Sequence, residues 1–111
     1  MKIAITTSDG DNVSHFGKAK ILPVYEFDEK SLKLTFLENR KSQIDLSRKH
    51  QWNMLLDMIK DCDVLISAQA GMNAKFGLEN ASIKVVLDEG IVEEVLERYK
   101  KHVEFLNKPL F

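Results

Sequence analysis

A β-branched stretch, Lys2-Ile3-Ala4-Ile5-Thr6-Thr7-Ser8, opens the sequence and predicts a first β-strand. A second strand pattern, Asp63-Val64-Leu65-Ile66-Ser67, is apolar through its middle. Such a pattern is typical of a central strand in a parallel sheet, because helices cover both of its faces. The two stretches together predict an α/β domain in which these strands lie near the centre of the sheet.

The remaining elements follow from the spacing of the apolar residues. Leu22–Phe27 and Leu32–Asn39 flank a four-residue turn and predict an antiparallel hairpin, with one solvated face, at a sheet edge. Helical spacing predicts a helix from about Ser47 to Lys60, which includes Trp52, Leu55, Leu56 and Ile59. The chain then continues with a short helix through Phe76 and Leu78, a strand at Ile83–Leu87 and a helix that starts near Gly90.

The resulting order is strand, strand, strand, helix, strand, helix, strand, helix. It predicts an open, mixed, five-stranded sheet with three helices, in which the first strand is central and the second is antiparallel to it. At 111 residues we expect a single domain, 1–111, that buries its own core without disulfides or structural metals.

Charge and composition exclude several classes of protein. Sixteen basic and 17 acidic side chains give a net charge of −1, and no run of like charge forms a footprint for nucleic acid or anionic lipid. The single cysteine, Cys62, excludes an intrachain disulfide and is expected to be a buried apolar residue. Neither a membrane-spanning apolar run nor a signal-peptide pattern is found, so we expect a cytoplasmic protein.

The candidate site begins in the loop after the first strand, at Asn12-Val13-Ser14-His15-Phe16-Gly17. This connection is about a dozen residues long, and loops of that length in compact domains are often functional. A neutral imidazole such as His15 is a common metal ligand, since its unperturbed pKa is about 6.5.

Ligands of open α/β sheets bind outside the carboxyl ends of the parallel strands. If the first and fourth strands are neighbours, the His15 loop faces the loop Ala68–Asn73, and one crevice collects the residues Thr7, Ser14, His15, Gly71 and Met72. No C-x-x-C or H-x-x-x-H pattern provides a cage of protein ligands, so a metal would arrive as a preformed cofactor. His15 is then the first candidate contact and Met72 the second. Gly71 could present amides to an anion, although a tight packing turn is the commoner reason for a glycine at such a position.

Carboxylates offer a competing hypothesis. Asp9, Asp11, Asp63 and Asp88 lie near predicted strand ends, where a group of them could bind Mg²⁺ for phosphoryl chemistry. However, Asp63 precedes its strand and should lie at the opposite edge of the sheet, and turn formation explains the others. No phosphate-binding loop or nucleophile motif is present, so we expect no enzyme activity.

Four segments together resemble the dinitrogenase iron-molybdenum cofactor biosynthesis family, which includes NifX, NafY and the C-terminal part of NifB. They are the strand K-I-A-I-T-T-S, the loop S-H-F-G-K-A (Ser14–Ala19), the turn A-G-M-N-A (Ala70–Ala74) and the segment G-I-V-E-E-V-L (Gly90–Leu96). The resemblance implies a three-layer, ribonuclease H-like α/β fold. It also implies that an iron-sulfur or iron-molybdenum-sulfur cluster precursor binds transiently, with His15 as the family-matched residue.

The resulting hypothesis is a small carrier that receives a cluster from a donor protein or delivers it to an acceptor protein. Its predicted binding residues are His15, as the metal ligand, together with Ser14, Phe16, Gly17, Gly71 and Met72. We expect a monomer or a weak homodimer, with no nucleic-acid or membrane partner. The alternatives are a ribonuclease H-like phosphoryl-transfer enzyme and a regulatory module that binds a small anion.

Overall fold

The computed structural model describes residues 1–43 and 52–107. The strands are β1 (Lys2–Ile5), β2 (Ile21–Asp28), β3 (Lys33–Lys41), β4 (Val64–Ser67) and β5 (Lys84–Leu87). The helices are α1 (Trp52–Met58), α2 (Met72–Asn80) and α3 (Val92–Leu106). The predicted α/β class, with its five-stranded mixed sheet and three helices, is confirmed. The predicted start of the first helix, near Ser47, lies outside the described residues.

The strands form one sheet in the order β3-β2-β1-β4-β5. β1 is central, as predicted: it pairs parallel with β4 and antiparallel with β2. β5 continues the parallel part beside β4, and β3 pairs antiparallel with β2 at the other edge. The carboxyl ends of β1, β4 and β5 therefore meet at one edge of the sheet.

Helices cover both faces of the sheet. On one face, α1 and α2 pack over a cluster that includes Ala4, Leu22, Leu65 and Leu78, and on the other α3 packs over Ile3, Ile5, Phe27 and Ile66. The wholly buried side chains of β4 follow from this, because consecutive residues of a strand point to opposite faces. Cys62 lies in the first cluster at 4% exposure, as its sequence position predicted.

The hairpin differs slightly from the prediction. Leu32 was expected to begin the second strand of the hairpin, but it lies in the turn with φ at 59°, and β3 begins at Lys33. The pairing of β2 with β3 also shifts register between Val24 and Tyr25. Alternation of apolar residues does not reveal such a shift, because it depends on the partner strand.

Candidate functional site

The loop after β1 begins with a turn built on Asp9. Its carboxylate accepts hydrogen bonds from the backbone N–H groups of Asp11 and Asn12, both at 2.9 Å, and from Asn12 Nδ2 at 3.0 Å. These donors stabilise the charged form and lower the pKa of Asp9 to about 2. Gly10 follows with φ at 92°, a conformation that favours glycine. Asp9 is thus a turn-forming residue, as its sequence context indicated.

The carbonyl oxygen of Ser14 fixes the next part of the loop to the sheet. The Ala68 N–H donates to it at 3.0 Å, and the hydroxyl oxygens of Thr6 and Ser67 lie 2.8 and 3.1 Å from it. Thr6 and Ser67 are fully buried, and their hydroxyl oxygens are 2.9 Å apart. Since β1 and β4 are neighbours, these two hydroxyls join the ends of both strands to the Ser14 backbone.

Phe16 fixes the loop from the other side. Its N–H donates to the Gln69 carbonyl at 2.8 Å, and its ring is 2% exposed in the core between the sheet and α1 and α2. The buried ring anchors the loop and is not available to a ligand at the surface, although the sequence had suggested a binding role for it. Only the backbone of Phe16 lies along the contact with the second loop.

His15 lies between these two anchors and is exposed. Its backbone is extended, with φ −57° and ψ 147°, and a 3₁₀ turn at Phe16–Lys18 follows directly. An isolated parallel bridge joins His15 to Gln69. The imidazole is therefore presented to solvent from a loop whose neighbouring backbone is hydrogen-bonded to two strands.

The second loop continues from β4 to the start of α2. Gly71 precedes the helix with φ −63° and ψ 157° and supplies no side-chain cap, and Met72 is 73% exposed in the first turn. A Cβ atom built on Gly17 or Gly71 would meet nothing within 4 Å. The tight packing turn considered for Gly71 is thus wrong, and both glycines instead leave open backbone beside His15 and Met72.

The loop after β5 completes this edge of the sheet. The Val13 N–H donates to the Gly90 carbonyl, and the Val92 N–H donates to the Asp11 carbonyl, both at 2.9 Å. Asp88 is held by Arg98, whose Nε lies 2.9 Å from a carboxylate oxygen, and this ion pair lowers the pKa of Asp88. The loop after β1 is therefore hydrogen-bonded to both of the other loops at the carboxyl edge.

The carboxylates do not converge on a common point. Asp63 lies at the opposite edge, where its Oδ2 accepts the Lys2 N–H at 2.8 Å. Asp9 and Asp88 are engaged in the turn and the ion pair described above. Within residues 1–43 and 52–107, no group of three or more His, Cys, Asp or Glu side chains is arranged to hold a metal ion.

The predicted site residues divide into two groups. Ser14, His15, Gly17, Gly71 and Met72 lie on the two joined loops. Thr7 is fully buried and its Oγ1 lies 2.5 Å from the Ile21 carbonyl, so it supports the loop from inside and does not reach the surface where the crevice was predicted. Sequence reasoning missed Thr6 and Ser67, although the signal was visible: each is a hydroxyl residue at the end of an apolar strand.

In the part of the chain that the structure describes, no helix is long and apolar enough to cross a membrane.

Several solved structures of other proteins have a fold similar to that of this chain. PH0822 is 21% identical with a TM-score of 0.76, and the match covers 92% of each chain. TM1290 from Thermotoga, a candidate NifB protein, is 22% identical with a TM-score of 0.61, over 90% of this chain and 87% of that one. The apo form of the orange protein from Desulfovibrio gigas is 23% identical with a TM-score of 0.64, over 92% and 88%.

No curated protein sequence matches the chain at a significant level. A family model does match, and it extends from residue 1 to residue 102. That span contains the sheet, α1, α2, most of α3 and the three loops of the carboxyl edge. The family is described as dinitrogenase iron-molybdenum cofactor, and the chain belongs to it.

Proposed function

We propose that this protein binds an iron-sulfur-containing cluster as cargo, between the His15 loop and the Gly71 loop, and passes it to a partner protein. Membership of the iron-molybdenum cofactor family supports a role in handling such clusters. The observation that supports the position is the pairing of the two loops, which holds His15 and Met72 on the same edge of the sheet.

The available side chains suit a soft metal cargo. Imidazole nitrogen and thioether sulfur are ligands for iron, and both His15 and Met72 are exposed. The open backbone at Gly17 and Gly71 leaves room for a bulky inorganic group beside them. Because few protein ligands are offered, release to a partner would require few bonds to break.

Buried groups anchor the loops from beneath, which suits a site that must not rearrange for each transfer. The Ser14 carbonyl is bound by the buried Thr6–Ser67 pair, and the Phe16 ring lies in the core. Preorganised loops cost less conformational entropy when a ligand binds. His15 would thus act as the ligand, and Ser14, Thr6 and Ser67 would act as positioning residues.

The test is anaerobic titration of the purified protein with a reconstituted iron-sulfur or iron-molybdenum-sulfur cluster, read by visible absorbance and metal analysis. We expect uptake near one cluster per chain and at least tenfold weaker uptake by His15→Ala, since loss of one of few ligands costs about 1.4 kcal/mol or more. His102→Ala, on the exposed side of α3, is the matched control and should bind like the wild type. Equal uptake by His15→Ala would place the site elsewhere, and no uptake by any variant would contradict the proposal.

Two further measurements distinguish the alternatives. A small-anion module would bind phosphate or molybdate in the absence of iron. Calorimetric titration of the wild type and of His15→Ala with these anions would detect such binding. A phosphoryl-transfer enzyme would show Mg²⁺-dependent turnover, which should be lost in Asp9→Asn. The engagement of Asp9 and Asp88 in structural bonds favours the carrier over the enzyme.

A further inference from the structure

β5 forms one edge of the sheet, and among residues 1–43 and 52–107 only one of its sides has a strand partner. On its inner side, the Lys84 N–H donates to Asp63 at 2.9 Å and the Asp88 N–H donates to Ser67 at 3.0 Å. Because backbone polar groups alternate along a strand, Val85 and Leu87 direct their N–H and C=O groups away from β4. Among the described residues, β5 has only β4 as a strand partner. It therefore offers an unpaired row of donors and acceptors.

The residues of this strand are complementary to themselves. The segment Lys84-Val85-Val86-Leu87-Asp88 carries a cation at one end, an anion at the other and apolar residues between them. If a second copy is turned end for end about Val86, each Lys84 lies opposite an Asp88 and each Val85 opposite a Leu87. In that register the outward polar groups of Val85 also meet those of Leu87, as a hydrogen-bonded antiparallel pair requires.

We propose that β5 is a self-association surface, at which two copies of this chain pair antiparallel about a two-fold axis at Val86. The pairing joins two sheets into one of ten strands and covers Leu87, which is 53% exposed in the single chain. In the dimer, Lys84 of one copy lies opposite Asp88 of the other and gives this carboxylate a second cation beside Arg98. The Asp88 side chain is 30% exposed in the single chain and can therefore be reached. An isologous contact of this kind closes as a dimer and does not extend into a fibre.

The other edge strand lacks this complementarity. In β3, the register that pairs the whole strand with itself places Lys33 opposite Lys41 and Leu34 opposite Arg40. Arg40 is also bound to Asp61 of its own chain. Like charges directly opposite each other destabilise a strand pair, so β3 is protected against the contact that β5 favours.

Dimer formation through β5 leaves the proposed cargo site accessible in both copies. Antiparallel pairing of β5 directs the carboxyl ends of the two copies' strands in opposite directions. The two His15 loops then lie at opposite ends of the joined sheet, and neither is covered. The dimer therefore does not depend on the proposed function, and each can be tested without the other.

Sedimentation velocity over about 10 µM to about 1 mM tests the proposal, since an interface of a few strand residues is small and binds weakly. We expect the sedimentation coefficient of the wild type to rise with concentration, from the monomer value towards that of a dimer. Leu87→Lys should abolish the rise, because it places a charged side chain opposite Val85, in an apolar pair of the proposed contact. Leu37→Lys, the same change at an exposed leucine of β3, is the control and should associate like the wild type.

A charge-reversal pair provides the second test. Lys84→Glu places an acid opposite Asp88 at two symmetric positions and should weaken dimerisation about tenfold, whereas Lys33→Glu on β3 should leave it unchanged. Amide exchange of Val85 and Leu87 should slow as the protein concentration rises. A wild type that sediments as a monomer at every concentration would overturn the proposal, as would sensitivity to the β3 changes in place of the β5 changes.

Discussion

At the scale of single residues, the hydroxyls of Thr6 and Ser67 decide where His15 lies. Both are fully buried, and both oxygens lie within hydrogen-bond distance of the Ser14 carbonyl. A buried acceptor that loses its donor costs free energy because water cannot replace the lost bond. The geometry of the candidate site therefore depends on residues that a ligand would not touch.

Thr6→Val tests this dependence. Valine keeps the shape of the side chain but removes the Thr6 hydroxyl from Ser14 and Ser67. We expect the free energy of unfolding to fall by about 1 kcal/mol, since the Ser14 carbonyl keeps the Ala68 N–H. Urea denaturation measures the loss, and the linewidth of the His15 amide in NMR spectra reports the loosened loop. Thr35→Val, at an exposed position of β3, is the control and should change stability little. Equal stability of Thr6→Val and wild type would contradict the assigned role.

At the scale of elements, α1 and α2 approach closely at Gly77. A Cβ atom built on Gly77 would lie 2.3 Å from Cζ3 of the Trp52 indole, which is closer than van der Waals contact allows. Trp52 packs against the cluster that lies between these helices and the sheet. The glycine in α2 is therefore a packing requirement, even though glycine weakens a helix.

Gly77→Ala should therefore destabilise the protein. Alanine favours the helix by up to about 1 kcal/mol, but displacing the indole from a packed position costs typically about 1–3 kcal/mol, so the net loss should be about 1 kcal/mol. Gly71→Ala is the matched control, because no atom lies within 4 Å of its Cβ position. Thermal unfolding should show a lower Tm for Gly77→Ala than for the wild type and little change for Gly71→Ala. An increase in Tm for Gly77→Ala would show that the indole moves aside at no cost.

The hairpin is joined to the parallel part of the sheet by Arg40 of β3. Its Nη1 and Nη2 donate to the two carboxylate oxygens of Asp61 at 2.7 and 2.8 Å, and Nη1 also donates to the Met58 carbonyl at 2.7 Å. The paired guanidinium and the Lys2 ammonium hold the pKa of Asp61 well below its usual range. This contact connects β3 with the end of α1 and the start of β4.

The Arg40–Asp61 contact predicts a pH dependence. The pKa of Asp61 is lower in the folded state than in the unfolded state, so its contribution is complete above the unfolded value near 3.9 and is lost as the pH falls further. Asp61→Asn should be less stable than the wild type by about 1 kcal/mol at pH 7, a modest value because the side chain is 46% exposed. Urea denaturation at pH 7 and pH 2 should show this difference shrinking in acid. A difference independent of pH would exclude the ion pair as its cause.

At the scale of the whole molecule, the protection of backbone amides against hydrogen exchange should decrease from the centre of the sheet towards its edges. β1 and β4 are covered by helices on both faces, and Ile3, Ile5 and Leu65 are fully buried. Local opening costs most where most apolar surface would be exposed. The edge strands have fewer neighbours and open at lower cost.

Hydrogen exchange of the dilute protein tests this order. The amides of Ile3–Ile5 and Val64–Ile66 that pair within the sheet should exchange slowest, at rates set by global unfolding. The outward amides of Val85 and Leu87 should exchange quickly, because no strand in the described part of a single chain pairs with that side of β5. Mass spectrometry of peptides covering β1, β4 and β5 measures the difference. Equal exchange rates in β4 and β5 would contradict the expected order, in which the central strands are protected most.

Much of this protein could be predicted from its sequence. The alternating and wholly apolar runs predicted the sheet, its central strand and the antiparallel hairpin, because side-chain period and apolar composition are local properties. Asp63 was correctly assigned to the opposite edge, since a residue that begins a parallel strand lies away from the strand's carboxyl end. Four segments, of which S-H-F-G-K-A is the most specific, predicted the family that the match over residues 1–102 confirmed.

Only the tertiary structure decided the rest. Phe16 lies in the core and His15 in solvent, although they are adjacent in one loop. Gly77 is required by Trp52, a residue of another helix, and Leu32 lies in a turn whose register is set by the pairing of β2 with β3. Each of these outcomes depends on a partner distant in sequence. Local pattern determines which segments form strands and helices, whereas the direction of a side chain and the space around a backbone are set by what packs against them.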